Sequence, residues 1–261
     1  MRRDGRLFDL GFGLVTVLAG IVLYAPLVAV SALSFFQIVR LRGKLSFAPF
    51  SLEPYLRLVE NGDILSALAT TLVVALVTTA ASVALAVLFA FYFVSARKSL
   101  GLAMQSLIFL PFLLPPIITG LSLLIFFREL EIARGILTIV VGHVVFVVPV
   151  VYRTILVRLQ FLGRSLTEAS LDLGASRWQT LTLVLLPQLK PALIAGGLLA
   201  FAMSFDETLI TLFLAGSETT LPIRLWGMMR VGFVPEINAL ATLIFVFTAA
   251  TNPLLANLNR W

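Results

Sequence analysis

Six long apolar runs constrain this chain more tightly than any motif in it. They cover roughly residues 10–36, 64–95, 102–127, 136–158, 191–215 and 237–258. Each is close to or above the roughly 20 residues that carry an α-helix across a bilayer core. Inside lipid the backbone must satisfy its own polar groups, and a helix does so within one segment. A soluble domain of this length would need more charge to cover its surface, yet only 12% of the 261 residues are charged and 60% are hydrophobic. The expected fold is therefore all-α: a polytopic membrane protein with six transmembrane helices and no separate soluble domain across residues 1–261. The chain has no cysteine, which removes disulfides, thiolate metal sites and thiol catalysis. Its net charge of +6 sits at loop ends, as topogenic charge does, and gives no nucleic-acid surface.

Two runs carry internal signals. The third contains Pro111, Pro115 and Pro116. Each proline removes a backbone donor, so a kinked span is expected, with the freed carbonyls facing a cavity or another helix. The first follows MRRDGR and mimics a signal peptide at Ala29 and Ser31, but it is too long for a signal h-region and reads as an uncleaved span. With the N-terminus inside, eleven of the nineteen basic residues fall on the cytoplasmic side. That bias favours a multi-pass protein of a bacterial inner membrane with both termini cytoplasmic.

Two pieces lie outside the spans. The outer loop, 37–63, contains SLEPYLRLVEN, in which Leu52, Tyr55, Leu56 and Val59 share a helical face. A short amphipathic helix on the membrane surface is expected there. The inner loop, 159–190, reads GRSLTEASLDLGASRWQTLTLVLLPQLK from Gly163. Ser165 with Glu168, and Ser176 with Gln179, have capping-box spacing, and Gly174 suits the left-handed end of a helix. Capping chemistry thus predicts two short helices joined at a glycine. Leu166, Leu171, Leu173, Trp178 and Leu181 give them apolar surface, to be covered by a partner protein or by the spans themselves.

The same loop resembles the EAA loop of ABC importer permeases, which runs Glu-Ala-Ala, three residues, Gly, nine residues, an aliphatic, one residue, Leu-Pro. Here the pattern stands as Glu168, Ala169, Ser170, Gly174, Val184, Leu186 and Pro187, with Ser170 for the second alanine. The resemblance implies a type I importer permease architecture in which this loop docks on an ATPase subunit. LPFLLPPIITGLSLL, SFDETLITLFLAG and LPIRLWGMMRVGFVPEINALAT extend the likeness to the second permease subunits of spermidine/putrescine importers. That subfamily also imports opines and amino-acid-like cations, so membership leaves the solute open. It further implies a sister permease, two ATPase subunits that bind ATP, and a solute-binding protein outside.

No G-x-x-x-x-G-K-[ST] phosphate loop is present, so ATP hydrolysis belongs to another chain and no catalytic residue or cofactor is expected on this one. His143 is the only histidine. A lone intramembrane histidine more often bonds a neighbouring helix than serves as a ligand or relay, and no cluster supports a metal. Gly196 and Gly197 suit close helix packing, and Trp226 suits an interfacial anchor. Arg128, Glu129, Glu131 and Arg134 read as a solvated outer turn.

Asp206 and Glu207 stand within an apolar run, where an acid costs a few kcal/mol unless satisfied. On a continuous helix Ser204, Glu207, Thr208 and Thr211 share an arc of roughly 100°, suited to a water-filled substrate path. Asp206 points elsewhere on that helix and enters the path only by resemblance. The alternative is structural, with one acid pairing an arginine or capping a break. A rival class, an ion-coupled secondary transporter, would use Asp206, Glu207 and His143 for its ion, and a membrane scaffold would leave the acids unexplained.

Overall fold

The computed structural model describes residues 2–36, 38–41, 44–47, 49–95, 98–163, 165–231 and 235–258. Its helices are α1 (Arg2–Phe35), α2 (Glu53–Glu60), α3 (Gly62–Ser95), α4 (Lys98–Leu113), α5 (Pro116–Glu129), α6 (Ile136–Leu162), α7 (Ser165–Asp172), α8 (Arg177–Gln179), α9 (Leu186–Phe205), α10 (Leu209–Leu214), α11 (Leu221–Val231) and α12 (Pro235–Leu258). Four of these are long and apolar enough to cross a membrane, and α4 with α5 form a bent pair. The six runs read from sequence correspond to α1, α3, the α4–α5 pair, α6, α9 with α10, and α12.

The chain divides into two compact units, one comprising residues up to Asp63 and from Gly227 onward, the other Ile64–Trp226. In the first, α1 lies along α12, and α2 also contacts α12. The loop at 37–63 holds, besides the expected helix, a two-stranded antiparallel hairpin of β1 (Ile38–Leu41) and β2 (Lys44–Phe47), which its short polar-apolar sequence did not signal. On α2, Pro54 and Leu58 are the buried residues, while Leu52, Leu56 and Val59 of the expected apolar face remain exposed. Tyr55 is fixed from two sides: its ring stacks on Phe35 and its hydroxyl shares a 2.6 Å hydrogen bond with Ser34. Arg57 pairs with Glu53 one turn away and lies 3.7 Å from Glu236 of α12. The Glu53 hydrogen bond raises the Arg57 guanidinium above its ordinary pKa.

The second unit is built around α6. Tyr152, Ile155 and Leu156 of α6 are fully buried with Leu185 and Leu189, and α4 and α9 pack against that face. Lipid tails are as apolar as leucine, so close packing rather than hydrophobic transfer must hold such helices together. On α9 the buried stripe is Leu189, Ala192, Gly196, Ala200 and Ser204, spaced at helical intervals and small at every position after Leu189. A β-carbon on Gly196 would lie 3.2 Å from Val151 of α6, a tight approach, whereas at Gly197 it would meet only ordinary contacts.

The proline run does more than kink its span. The axes of α4 and α5 diverge by 103°, with Pro115 as the N-cap and Pro116 opening α5. Proline has no N–H to lose at the first helical position, so this dipeptide starts a new helix in a new direction. The freed Pro111 carbonyl accepts from the Leu114 N–H and the Thr119 hydroxyl.

Candidate functional site

The loop at 159–190 forms the two expected helices. Ser165 is already the first residue of α7, one place inside the cap position read from sequence. At the second helix the box is complete: the Gln179 N–H donates to the Ser176 hydroxyl at 3.2 Å, and the Ser176 N–H donates to Gln179 Oε1 at 2.8 Å. Gly174 has φ +84, and the Ala175 N–H reaches the Ser170 carbonyl while the Gly174 N–H reaches that of Leu171, the paired bonds of a Schellman ending. After α8 the chain runs through a π-helical turn, Thr180–Leu185, before α9. Glu168, Ala169, Gly174 and Pro187 are exposed, and Val184 and Leu186 are half-buried. Ser170 differs from its neighbours: it is 8% exposed, and its hydroxyl meets that of Thr180 at 2.6 Å, locking α7 to the π turn. Leu173 at 89% and Trp178 at 66% give the loop its exposed apolar surface.

The fifth run is not one helix. The α9 helix ends at Phe205, with the Asp206 N–H still donating to the Ala202 carbonyl, and α10 begins at Leu209 after Glu207 and Thr208. Glu207 caps the new helix, because its Oε1 accepts from the N–H groups of Leu209 at 2.9 Å and Ile210 at 3.0 Å. A carboxylate so placed satisfies two of the orphan donors of a helix start and faces its positive end. The α10 helix is only six residues long and is held at both ends. At its far end the Leu214 carbonyl accepts from the Gly135 N–H at 3.1 Å and the Thr138 hydroxyl at 2.9 Å, both from the start of α6. Two glycines make room for it: β-carbons at Gly120 and Gly142 would each meet Ile210.

The break corrects the stripe expected on a continuous helix. Ser204 and Thr211 are buried, and both turn their hydroxyls to His143, at 2.8 Å from Nδ1 and 2.7 Å from Nε2. His143 itself is 1% exposed. Thr208 is half-buried, with its hydroxyl donating to the Asp206 carbonyl at 3.2 Å. Asp206 is exposed and Glu207 half-buried, and the turn brings both onto one recess of about 370 Å³ with Phe146, Ala202 and Met203. On a regular helix the two acids face different ways; the break is what unites them. Phe146 and Met203 went unmarked in the sequence, since an aromatic and a thioether in apolar helices have no distinguishing pattern. A signal for the break did exist, because Asp-Glu-Thr directly before the apolar LITLFL is N-cap chemistry.

The turn between α5 and α6 has an Arg128–Glu129 pair at 3.1 Å and Glu131 in the left-handed region at φ +57.

Comparison with known proteins fits this architecture. The chain is 39% identical over 208 residues to the putrescine transport system permease protein PotI of Escherichia coli, covering 76% of this chain and 73% of the relative. It is 31% identical over 229 residues to the spermidine/putrescine transport system permease protein PotC of Haemophilus influenzae, covering 87% and 88%. The PotC homolog of Mycoplasma pneumoniae is 29% identical over 256 residues, covering 94% and 88%. The model of the binding-protein-dependent transport system inner membrane component matches residues 82–260, and the chain belongs to that family as a multi-pass inner-membrane permease subunit of an ABC importer.

Proposed function

We propose that this permease subunit imports a polyamine or a closely related cationic amine, and that the recess at the break in the fifth span forms part of its path. The observation that carries the reading is the meeting of Asp206 and Glu207 with the Phe146 ring at one recess. Two carboxylates in a partly desolvated site attract an ammonium group more strongly than they would in water. An aromatic face adds cation–π attraction. The relatives' names, putrescine and spermidine/putrescine permeases, agree with that chemistry.

In this reading a sister permease supplies the other half of the path, and a solute-binding protein delivers the amine from outside. Two ATPase subunits grip the loop at 165–187, through Glu168, Ala169, Gly174 and the exposed Leu173 and Trp178. ATP binding there drives the exchange between inward- and outward-facing states, since only a ligand with different affinities for the two can shift them. Both termini lie in the cytoplasm.

Uptake of labelled putrescine into proteoliposomes holding the complete importer tests the reading. ATP-dependent uptake that collapses in Glu207→Gln and Asp206→Asn supports it. ATP-dependent uptake of a neutral or anionic solute in place of amines would overturn the substrate class, and uptake without any ATPase would restore the ion-coupled alternative.

A further inference from the structure

His143 stands where α6 bonds to both sides of the break. Ser204 is the penultimate residue of α9, and Thr211 is the third residue of α10. The two hydroxyls occupy the two ring nitrogens, so a single imidazole spans the three residues between the helices. Thr211 has one hydroxyl proton, and it goes to the Glu207 carbonyl at 2.9 Å. With that proton so assigned the Thr211 oxygen is an acceptor, and the tautomer that fits has its proton on Nε2 and accepts from the Ser204 hydroxyl at Nδ1. The result is a one-way chain from Ser204 through His143 and Thr211 to the backbone of Glu207.

We propose that His143 is a positioning residue for the carboxylate recess: it clamps the ends of α9 and α10 across the break and thereby fixes the Glu207 backbone from which the acid faces the incoming cation. The inference rests on the path reading for Glu207, but it concerns a residue that never meets the solute. A buried imidazole whose two nitrogens are both occupied by hydroxyls is not free to bind a ligand or carry an ion, which separates this role from that of an ion-coupling histidine. Deleting the ring breaks the link between Ser204 of α9 and Thr211 of α10 and leaves the buried Ser204 hydroxyl without that partner, so the two helix ends lose a bond that holds them in register. Loss of that register shifts Glu207 directly, because Thr211 holds its carbonyl.

The test reads the charge in the recess without needing transport. In the complete importer with cysteine-free partners, Asp206→Cys is labelled with a cationic and with a neutral thiol reagent of similar size. The ratio of the two rates reports the field of Glu207. Glu207→Gln sets the floor, and a fall of about tenfold is expected for removing one nearby charge in a partly desolvated site. His143→Leu is expected to bring the ratio to within about threefold of that floor, and Thr211→Val, which removes that bond together with the one to the Glu207 carbonyl at nearly constant shape, is expected to do likewise. His143→Gln, which keeps a donor toward Thr211, should restore most of the parent ratio. If Glu207→Gln leaves the ratio unchanged, the path reading fails. A drop in Glu207→Gln with parent ratios in His143→Leu and Thr211→Val overturns the positioning role alone. Loss of assembly in all the His143 and Thr211 variants would also overturn it, by making the histidine a structural bond and nothing more.

Discussion

Gly120 and Ile210 are in backbone contact: a β-carbon built on Gly120 would lie 3.1 Å from the Ile210 Cα and 2.9 Å from the Phe213 ring. The α10 helix is seated in that gap, between α5 and α6, and α10 is where Glu207 spends both of its cap bonds. Gly120→Ala should therefore displace α10, because the opposing atom is main chain and cannot rotate away. Overpacking of this kind costs about 1–3 kcal/mol. The expected result is a lower melting temperature of the purified importer, together with weaker putrescine uptake, whereas Gly197→Ala, in ordinary contact surroundings, should be close to neutral.

Gly174 ends α7 at φ +84. Gly174→Ala places a β-carbon in the left-handed region, at a cost of about 1 kcal/mol. The outcome expected is a tilted α7 and a rise in ATP hydrolysed per solute moved, read by measuring hydrolysis and uptake in the same vesicles.

The Ser170 and Thr180 hydroxyls satisfy each other in a buried setting. Thr180→Val leaves Ser170 without that partner and should destabilise the loop by about 1–3 kcal/mol. Ser170→Ala together with Thr180→Val should cost less than the sum of the two, as for any pair that removes one shared bond. Thermal unfolding of the four complexes checks the cycle.

The burial of Ser170 also decides where a cross-link to the ATPase belongs. Leu173→Cys, at a position 89% exposed, should trap an ATPase subunit bearing a cysteine in its groove, and Ser170→Cys, at a position 8% exposed, should not. Capture at 170 in preference to 173 would mean that α7 rotates when it docks.

Span positions were legible because lipid imposes a length and a composition, and the apolar runs that became α1, α3 and α6 have few interruptions. Gly174 and Ser176 were legible for a local reason, since left-handed backbone and cap bonds are properties of single residues. The 103° turn between α4 and α5 was not, because Pro115-Pro116 says only that one helix stops and another starts. Direction is set by packing on distant residues such as Ile210. For the same reason the carboxylates were divided wrongly: a 100° rule holds only while the helix does, and its failure depends on Gly120, Gly142 and His143, far away in sequence. His143 was read correctly as a bond to a neighbouring helix, though not as a bond to both sides of a break.

The central claim is that Asp206 and Glu207 share one recess, and cysteine accessibility tests it most directly, since the chain has no native cysteine. Asp206→Cys and Glu207→Cys are made separately in the complete importer with cysteine-free partners and treated with a membrane-impermeant cationic thiol reagent. The broken helix predicts labelling at both positions, with putrescine slowing both. Labelling at 207 alone, with 206 unreactive and putrescine without effect there, is the pattern of an unbroken helix with its acids on different faces, and it would contradict the account.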